Sequence, residues 1–201
     1  MDIETIYKDA GALLEGHFLL ASGNHSPRYL QSAKVLENPQ TAEMLTQALA
    51  EQIRQAGIEV DTVCAPAIGG LIAGYELARA LGVRSIFVEK KDGGMALRRG
   101  FTVQPDERVL ICEDIITTGG SAKKAADTIE SLGARVVAFA ALANRGFCRR
   151  YGSDISPKEA CRLPDDKPFF ALADFTFDMY PPEACPMCRQ GSEAIKPGSG
   201  A

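Results

Sequence analysis

The sequence lacks a hydrophobic run long enough to cross a lipid bilayer. Its longest purely apolar stretch, residues 136–143, falls far short of the roughly 20 residues that a membrane-spanning helix needs. An excess of basic residues is also lacking, since 22 Lys and Arg face 26 Asp and Glu, for a net charge of −4. This balance excludes a protein built to coat nucleic acid or an anionic membrane, but it leaves room for a small cationic pocket.

The first seven residues contain no Lys or Arg, so we expect no secretory signal. The chain begins Met1-Asp2-Ile3-Glu4, without the positive region of a secretory signal. We therefore expect a cytoplasmic protein whose six cysteines are free thiols rather than a disulfide framework. Among them, Cys64 and Cys112 fall in apolar strand patterns and should be small core residues.

What the sequence does contain is an alternation of helical and strand patterns. Asn38 and Pro39 are typical of a helix start, and Gly57, Gly82 and Gly133 follow predicted helix ends. The helices are predicted at residues 2–14, 39–56, 69–81 and 121–132, and the strands at 62–65, 85–89, 108–112 and 135–143. Continuous apolar strands between helices predict an α/β fold with a parallel central sheet flanked by helices.

Residues 109–121, VLICEDIITTGGS, join a buried strand to a helix through a polar loop. Ligands of open α/β sheets bind at the carboxyl ends of strands, where a helix N-terminus offers free N–H groups. Gly119 and Gly120 let the backbone approach a phosphate closely, and Thr117, Thr118 and Ser121 add hydroxyl donors. The loop therefore predicts an anion site.

Two adjacent carboxylates, Glu113 and Asp114, stand between this strand and the loop. Carboxylates accept hydrogen bonds from a cis-diol, so a diol beside a phosphate indicates a ribose 5-phosphate. The segment matches neither the Walker A loop nor the dinucleotide GxGxxG pattern. The alternative is an ordinary strand–turn–helix in which Asp114 and Ser121 are caps.

The same thirteen residues resemble the loop that binds 5-phosphoribosyl 1-diphosphate (PRPP) in type I phosphoribosyltransferases. Residues 16–32 are predicted to form a hairpin, with a turn at residues 22–24. This hairpin (GHFLLASGNHSPRYLQ at residues 16–31), the turn at 66–70 and residues 88–101 resemble the orotate-specific members of that family. The resemblance implies transfer of the phosphoribosyl group from PRPP to orotate, giving orotidine 5′-monophosphate and diphosphate in pyrimidine biosynthesis. It also implies one transferase domain, residues 1–180, with a hood at 1–35, and a Pro/Gly-rich tail at 181–201.

In this interpretation Glu113 and Asp114 are catalytic residues that hold the ribose diol. The resemblance places PRPP on the remainder of the loop: Ile115, Ile116, Thr117, Thr118, Gly119, Gly120 and Ser121. Mg²⁺ is the expected cofactor, and it should be held through PRPP and water rather than by dedicated protein ligands.

Residues 90–100, KKDGGMALRRG, carry a local charge of +3 in an acidic protein. Cations of this kind suit a diphosphate leaving group, and the glycines suit a lid that excludes water. A solvated basic hairpin is the alternative. The resemblance implies a flexible lid that reaches into the neighbouring subunit of a homodimer. Its diphosphate contacts would be Lys90, which is also catalytic, with Lys91 and Arg98.

The sequence departs from longer-loop family members at three points. Its two histidines, His17 and His25, lie outside the lid, where those members carry one. Family lysines of the hairpin and the turn correspond here to Ala21 and Gly69. The set of catalytic cations is therefore partly reassigned, and the histidines are expected in hairpin packing or turn hydrogen bonds.

Three residues are candidates for the orotate site. Arg145 follows an apolar strand beside the phosphate-loop strand, where an arginine can grip a carboxylate with two hydrogen bonds. The resemblance places orotate contacts at Arg145 and Thr117, and Tyr29 of the hairpin is a candidate to stack on the base. The alternatives are a surface ion pair for Arg145 and core packing for Tyr29.

Cys185 and Cys188 have the C-x-x-C spacing of half a zinc site. Cys148 and Cys161 are the candidates to complete it, but neither has suitable spacing, so plain tail thiols are favoured over a structural metal shared between subunits. Two other function classes stay open: a purine phosphoribosyltransferase, and a PRPP-binding regulator without turnover.

Overall fold

A computed structural model describes residues 1–20 and 22–197. The helices are α1 (Ile3–Asp9), α2 (Ser32–Leu36), α3 (Pro39–Gln55), α4 (Leu71–Leu81), α5 (Gly120–Ser131) and α6 (Pro186–Arg189), with a 3₁₀ turn at Pro182–Ala184. The strands are β1 (Leu13–Leu19), β2 (His25–Leu30), β3 (Thr62–Pro66), β4 (Arg84–Lys91), β5 (Gly94–Leu97), β6 (Arg108–Ile116), β7 (Arg135–Asn144) and β8 (Phe169–Asp174). No helix within these described residues is long and apolar enough to span a membrane.

The chain divides into two compact units. The larger, Leu36–Phe175, contains a six-stranded sheet in the order β5-β4-β3-β6-β7-β8. All neighbouring pairs are parallel except β4 and β5, which form an antiparallel edge hairpin. This confirms the predicted α/β fold with a mostly parallel central sheet.

Helices cover both faces of this sheet. Val109 and Ile111 of β6 share a buried cluster with residues of α5, whereas Cys112, on the alternate face, lies close to Gly74 of α4. Gly74 is required there because an added Cβ would come within 2.7 Å of Ala65 Cβ. The buried strands are apolar on both sides for this reason, and Cys112 is a fully buried core residue as predicted.

The sheet reverses its winding direction between β3 and β6. From β3 the chain passes to β4 on one side, whereas from β6 it passes to β7 and β8 on the other side. In open α/β sheets such a switch point leaves a crevice at the carboxyl ends of the two strands. The fold therefore places the turn after β3 and the polar loop after β6 side by side.

The smaller unit comprises Met1–Val35 and the chain from Thr176 onward. Its β1 and β2 form the predicted antiparallel hairpin, with Leu13 opposite Leu30 and Leu19 opposite His25. The C-terminal segment lies along this hairpin through backbone bridges between Phe18 and Ile195 and between His25 and Tyr180. Because the hairpin and the C-terminal segment form backbone hydrogen bonds with each other, the two ends of the chain form one compact unit.

Three sequence expectations are wrong in detail, and one strand was not predicted. Helix α1 ends at Asp9 rather than at residue 14, and Gly11 follows with a φ of 62°. β6 continues to Ile116, so the acidic pair lies on the strand and not after it. The sheet gains β8, a short strand after an irregular segment without a clear pattern. Cys148 and Cys161 form a disulfide rather than two free thiols.

Candidate active site

The polar loop after β6 has the geometry of an anion site. Gly119 is the N-cap residue of α5 with a φ of 80°, and it offers no side chain to cap the helix. The first backbone N–H groups of α5 therefore lack a side-chain cap, and the helix dipole places positive potential there. Thr117 and Ser121 are exposed beside these groups, so the predicted donors surround one helix end.

Gly119 is required by its conformation and also by its surroundings. A left-handed φ is costly for residues with a side chain, and an added Cβ would lie 2.6 Å from Leu163 Cδ2. The same loop is held by a hydrogen bond of 2.7 Å from the Arg162 backbone N–H to the Thr118 carbonyl. Arg162, which directly follows the disulfide residue Cys161, thus holds the loop in place, a role that the sequence did not reveal.

The carboxylates of Glu113 and Asp114 face opposite sides of the sheet because strand side chains alternate. Asp114 points to the turn after β3, where a Cβ on Gly69 would lie 3.2 Å from Asp114 Oδ1. Glu113 is on the α5 side, within range of the positive charge of Lys90. The structure thus brings the acidic pair, the loop and Lys90 together at the switch point.

Burial makes both carboxyl groups harder to ionise. Burial and the neighbouring Asp114 carboxylate raise the pKa of Glu113 to about 8, against the opposing charge of Lys90. Burial also raises the pKa of Asp114, although the backbone N–H groups of Ile115 and Asp114 work against this. Two half-buried acids with raised pKa values at a strand end are typical of a functional site.

The basic segment forms the β4–β5 hairpin with a two-residue turn. Asp92 and Gly93 have φ values of 49° and 79°, which suit the tight turn of an antiparallel pair. The hairpin lies against α5, since Lys124 Nζ donates to the Gly93 carbonyl at 3.3 Å and Thr128 Oγ1 donates to the Met95 carbonyl at 3.2 Å.

The cations of the basic segment differ in their partners. Lys90, Lys91 and Arg98 are exposed. Arg99 forms an ion pair with Glu89 at 2.7 Å. The flexibility of the lid, and its reach into a neighbouring subunit, stay predictions.

Arg145 follows the end of β7 beside the loop strand. Its backbone N–H donates to the Ile116 carbonyl at 2.8 Å, which fixes the residue next to Thr117. The side chain is 6% exposed, and its Nε donates to the Phe175 carbonyl at 3.3 Å. Arg145 is therefore buried and not at the surface as the alternative assumed, while the orotate contact stays a prediction.

A polar network around Asn144 holds this strand end in shape. Asn144 Nδ2 donates to the Cys148 carbonyl and to Asp174 Oδ1, both at 2.7 Å. Asp174 Oδ2 in turn accepts from Arg150 Nε at 2.7 Å. Sequence reasoning missed these positioning residues. Asn144 is a polar residue at the end of an apolar strand, directly before Arg145, and this position could have indicated a buried hydrogen-bond network.

Tyr29 lies in the smaller unit, half-buried, with its ring centroid 5.9 Å from that of Phe18. This contact is core packing of the hairpin, and stacking on a base stays a prediction. Ala21, at which the family lysine of the hairpin is replaced, lies outside the described residues.

Comparison with known proteins agrees with this geometry. The Phosphoribosyl transferase domain family matches residues 32–171. The chain is 74% identical over 199 residues to the orotate phosphoribosyltransferase of Sulfurovum sp. (strain NBC37-1), and the match covers 99% of each protein. The chain belongs to the orotate phosphoribosyltransferase family. Binding of PRPP by the glycine loop and the acidic pair, which the sequence resemblance implies, stays a prediction.

Solved structures show the same fold at much lower identity. A crystal structure of orotate phosphoribosyltransferase from Aeropyrum pernix matches with a TM-score of 0.67 and 24% identity, covering 86% of this chain and 93% of that one. An adenine phosphoribosyltransferase from Thermoanaerobacter pseudethanolicus matches with a TM-score of 0.59 and 23% identity, covering 74% and 88%. Since members with different bases share the fold, the fold does not determine which base is used.

Proposed function

We propose that this protein transfers the 5-phosphoribosyl group from PRPP to orotate, giving orotidine 5′-monophosphate and diphosphate. The observation that carries the proposal is the half-buried pair Glu113 and Asp114 beside an uncapped glycine loop at the switch point, in a chain of the orotate phosphoribosyltransferase family. Phosphate and diol sites side by side describe a phosphoribosyl donor.

The loop binds the 5′-phosphate in this proposal. Backbone N–H groups at the start of α5 and the hydroxyls of Thr117, Thr118 and Ser121 donate to the phosphate oxygens. Gly119 keeps the backbone bare, so the phosphate comes close to the helix end. Binding at this distance fixes the ribose over the acidic pair.

Glu113 and Asp114 accept hydrogen bonds from the ribose hydroxyls. As the bond from C1 to the diphosphate breaks, positive charge develops on the ribosyl ring, and nearby carboxylates stabilise it. The ring nitrogen of orotate then attacks C1. Positioning and exclusion of water supply most of the rate, and no covalent intermediate with the enzyme is needed.

Mg²⁺ fits this donor set by chemistry. It prefers hard oxygen ligands and keeps several waters, and the diphosphate and ribose hydroxyls of PRPP would offer such oxygens, while the two carboxylates would accept hydrogen bonds from the hydroxyls and waters. When bound, Mg²⁺ would supply charge neutralisation for the diphosphate leaving group. Glu113 and Asp114 would orient the hydroxyls and waters around it.

The base and the leaving group are assigned to separate residues. Arg145 and Thr117 bind orotate, and Tyr29 is the candidate, from the sequence, to stack on the base. Lys90, Lys91 and Arg98 stabilise the negative charge that develops on the diphosphate. The positive charge of Lys90 also opposes the rise in the pKa of Glu113. A homodimer whose lid is shared between subunits, and a cytoplasmic location, complete the proposal as expectations from the sequence.

The test is a substrate comparison with purified protein, PRPP and Mg²⁺. Loss of orotate absorbance, with no consumption of adenine or hypoxanthine, is the expected result. Consumption of a purine but not of orotate would support the adenine-type alternative. Binding of PRPP without turnover of any base would identify a regulator instead.

A further inference from the structure

Away from the phosphate loop, four metal-binding side chains converge within the smaller unit. His17 and His25 come from the hairpin strands, and Cys185 and Cys188 come from the C-terminal segment. Their ligand atoms all lie within 4.8 Å of one another, and all but Cys188 are buried. The cysteine pair is therefore completed by the two histidines, and not by Cys148 or Cys161, which bond to each other.

We propose that these four residues bind one structural Zn²⁺ ion. Zn–N distances of about 2.0–2.1 Å and Zn–S distances of about 2.3 Å at tetrahedral angles place neighbouring ligand atoms roughly 3.3–3.8 Å apart. Cys185 Sγ and Cys188 Sγ lie 3.5 Å and 3.7 Å from His17 Nε2, and Cys188 Sγ lies 3.3 Å from His25 Nδ1. The two ring nitrogens are 2.9 Å apart. To take the ion, the two ring nitrogens must move slightly apart, and ligand atoms as far as 4.8 Å from one another must move closer.

The donor set selects the metal. Two thiolates and two imidazoles in a tetrahedral arrangement suit Zn²⁺, whereas Mg²⁺ prefers oxygen ligands. This site is thus chemically distinct from the acidic pair, and its occupancy does not depend on the proposed transferase activity. Four protein ligands leave no open position for a substrate, so the role is structural.

Surrounding groups hold the ligands in place. His17 Nδ1 lies 3.1 Å from Ser192 Oγ, so an Nδ1–H donated to this hydroxyl leaves the Nε2 lone pair facing the cluster. The His17 carbonyl accepts from the Ile195 N–H at 2.9 Å. His25 exchanges backbone hydrogen bonds of 2.8 Å and 2.9 Å with Tyr180. Both histidines are therefore fixed by the C-terminal segment that carries the cysteines.

The metal would join parts of the chain that are distant in sequence. His17 and Cys185 are 168 residues apart, and the bond network closes the amino-terminal hairpin onto the end of the chain. Binding energy at a structural zinc site contributes directly to folding. The ion would thus stabilise the smaller unit, whose apolar core is small.

The test measures metal in the full-length protein, purified without chelators under reducing conditions. Elemental analysis should find about one zinc per chain. Cys188→Ser should lose most of this zinc, and Ser192→Ala should weaken zinc affinity by about 10- to 100-fold. The double variant Cys148→Ser/Cys161→Ser, which also removes two sulfurs, should keep its zinc.

Absence of zinc, both in the protein as purified and after incubation with Zn²⁺, would overturn the proposal. Iron in place of zinc would also overturn it, and so would undiminished zinc in the Cys188→Ser variant. Should the variants misfold, Co²⁺ added to the unsubstituted protein decides the matter. Intense visible bands of tetrahedral cobalt, with thiolate charge transfer in the near ultraviolet, are expected. A weak octahedral spectrum would contradict the site. None of these measurements requires turnover of orotate.

Discussion

At the residue scale, the acidic pair combines two environments in one dipeptide. Asp114 faces the turn after β3, and Glu113 faces the side of α5 and the basic hairpin. Each carboxyl group is half-buried, and each has its pKa raised by burial. Burial of two carboxyl groups lowers the stability of the free protein. When PRPP binds, its ribose hydroxyls would donate hydrogen bonds to these groups and offset the loss of stability, together with the cations that accompany PRPP.

Glu113 makes the stability of the protein depend on pH. The folded chain holds the Glu113 proton up to about pH 8, whereas the ordinary value is 4.5, so folding binds a proton between these limits. Stability should therefore fall as pH rises from about 4.5 to about 8. Glu113→Gln should remove this loss and raise Tm more at pH 8 than at pH 5.

Thermal unfolding across this pH range measures the effect, which should reach a few kcal/mol at most, since each pKa unit corresponds to about 1.4 kcal/mol. Glu159→Gln, at an exposed carboxylate, is the control and should keep the wild-type profile. An equal change in Tm at both pH values for Glu113→Gln would contradict the assignment.

Arg145 should act on orotate rather than on PRPP. Arg145→Ala should raise the KM for orotate at least about tenfold, because a charged hydrogen-bonding partner of the base carboxylate is lost. The KM for PRPP should change little. Arg135→Ala, at the exposed beginning of the same strand, should change neither value. Equal increases in both KM values for Arg145→Ala would refute its place in the orotate site.

At the scale of elements, the loop between β6 and α5 depends on Gly119. Gly119→Ala introduces a side chain at a φ of 80° and close to Leu163, which should cost more than the roughly 1–2 kcal/mol of the backbone conformation alone. The KM for PRPP should rise as the loop shifts. Gly133→Ala is a matched control, because Gly133 has a φ of 95° but nothing within 4 Å of an added Cβ.

Denaturant unfolding measures the backbone strain in both variants, and the KM for PRPP measures whether the phosphate loop has shifted. Both should be destabilised, and only Gly119→Ala should bind PRPP more weakly. An unchanged KM for PRPP in Gly119→Ala would mean that the phosphate binds elsewhere.

Much of this geometry was predictable because it follows from local chemistry. Asn38 caps α3 through hydrogen bonds from the Gln40 and Thr41 N–H groups, and the buried strands are apolar in the sequence itself. The acidic pair and the glycine loop are contiguous, so one segment showed most of the phosphate site. β8 was missed because it is short, follows an irregular segment, and is placed by its pairing with β7 and not by a local pattern.

The histidine and cysteine cluster shows where local patterns fail. His17 and Cys185 carry no shared motif and lie 168 residues apart, so only the folded backbone brings them together. Asn144 and Asp174, which are 30 residues apart, pose the same difficulty on a smaller scale. Pairings of this kind depend on strand order, which sequence patterning did not determine.

At the scale of the whole molecule, the proposed dimer predicts that two variants of low activity regain activity when their subunits are combined. If the lid of one subunit completes the site of its partner, Asp114→Asn and Arg98→Ala should each have little activity, yet complement each other in a mixed dimer. Random exchange of subunits in an equal mixture should restore about one quarter of the wild-type activity, since half of the dimers are mixed and each has one intact site.

Activity assays after co-refolding, or after co-expression with two affinity tags, measure this recovery. Two preparations of the same variant are the control and should gain no activity. A mixed dimer that is no more active than its parents would place the lid over the site of its own subunit.

The central claim is that the carboxylates at the switch point drive ribosyl transfer. Asp114→Asn keeps the shape of the side chain and removes a charge that burial disfavours, so the fold should survive. Turnover of orotate at saturating PRPP and Mg²⁺ should fall at least about 100-fold. Asp127→Asn, on the exposed face of α5, should retain full turnover. Turnover of the folded Asp114→Asn variant within about twofold of the wild type would contradict the account.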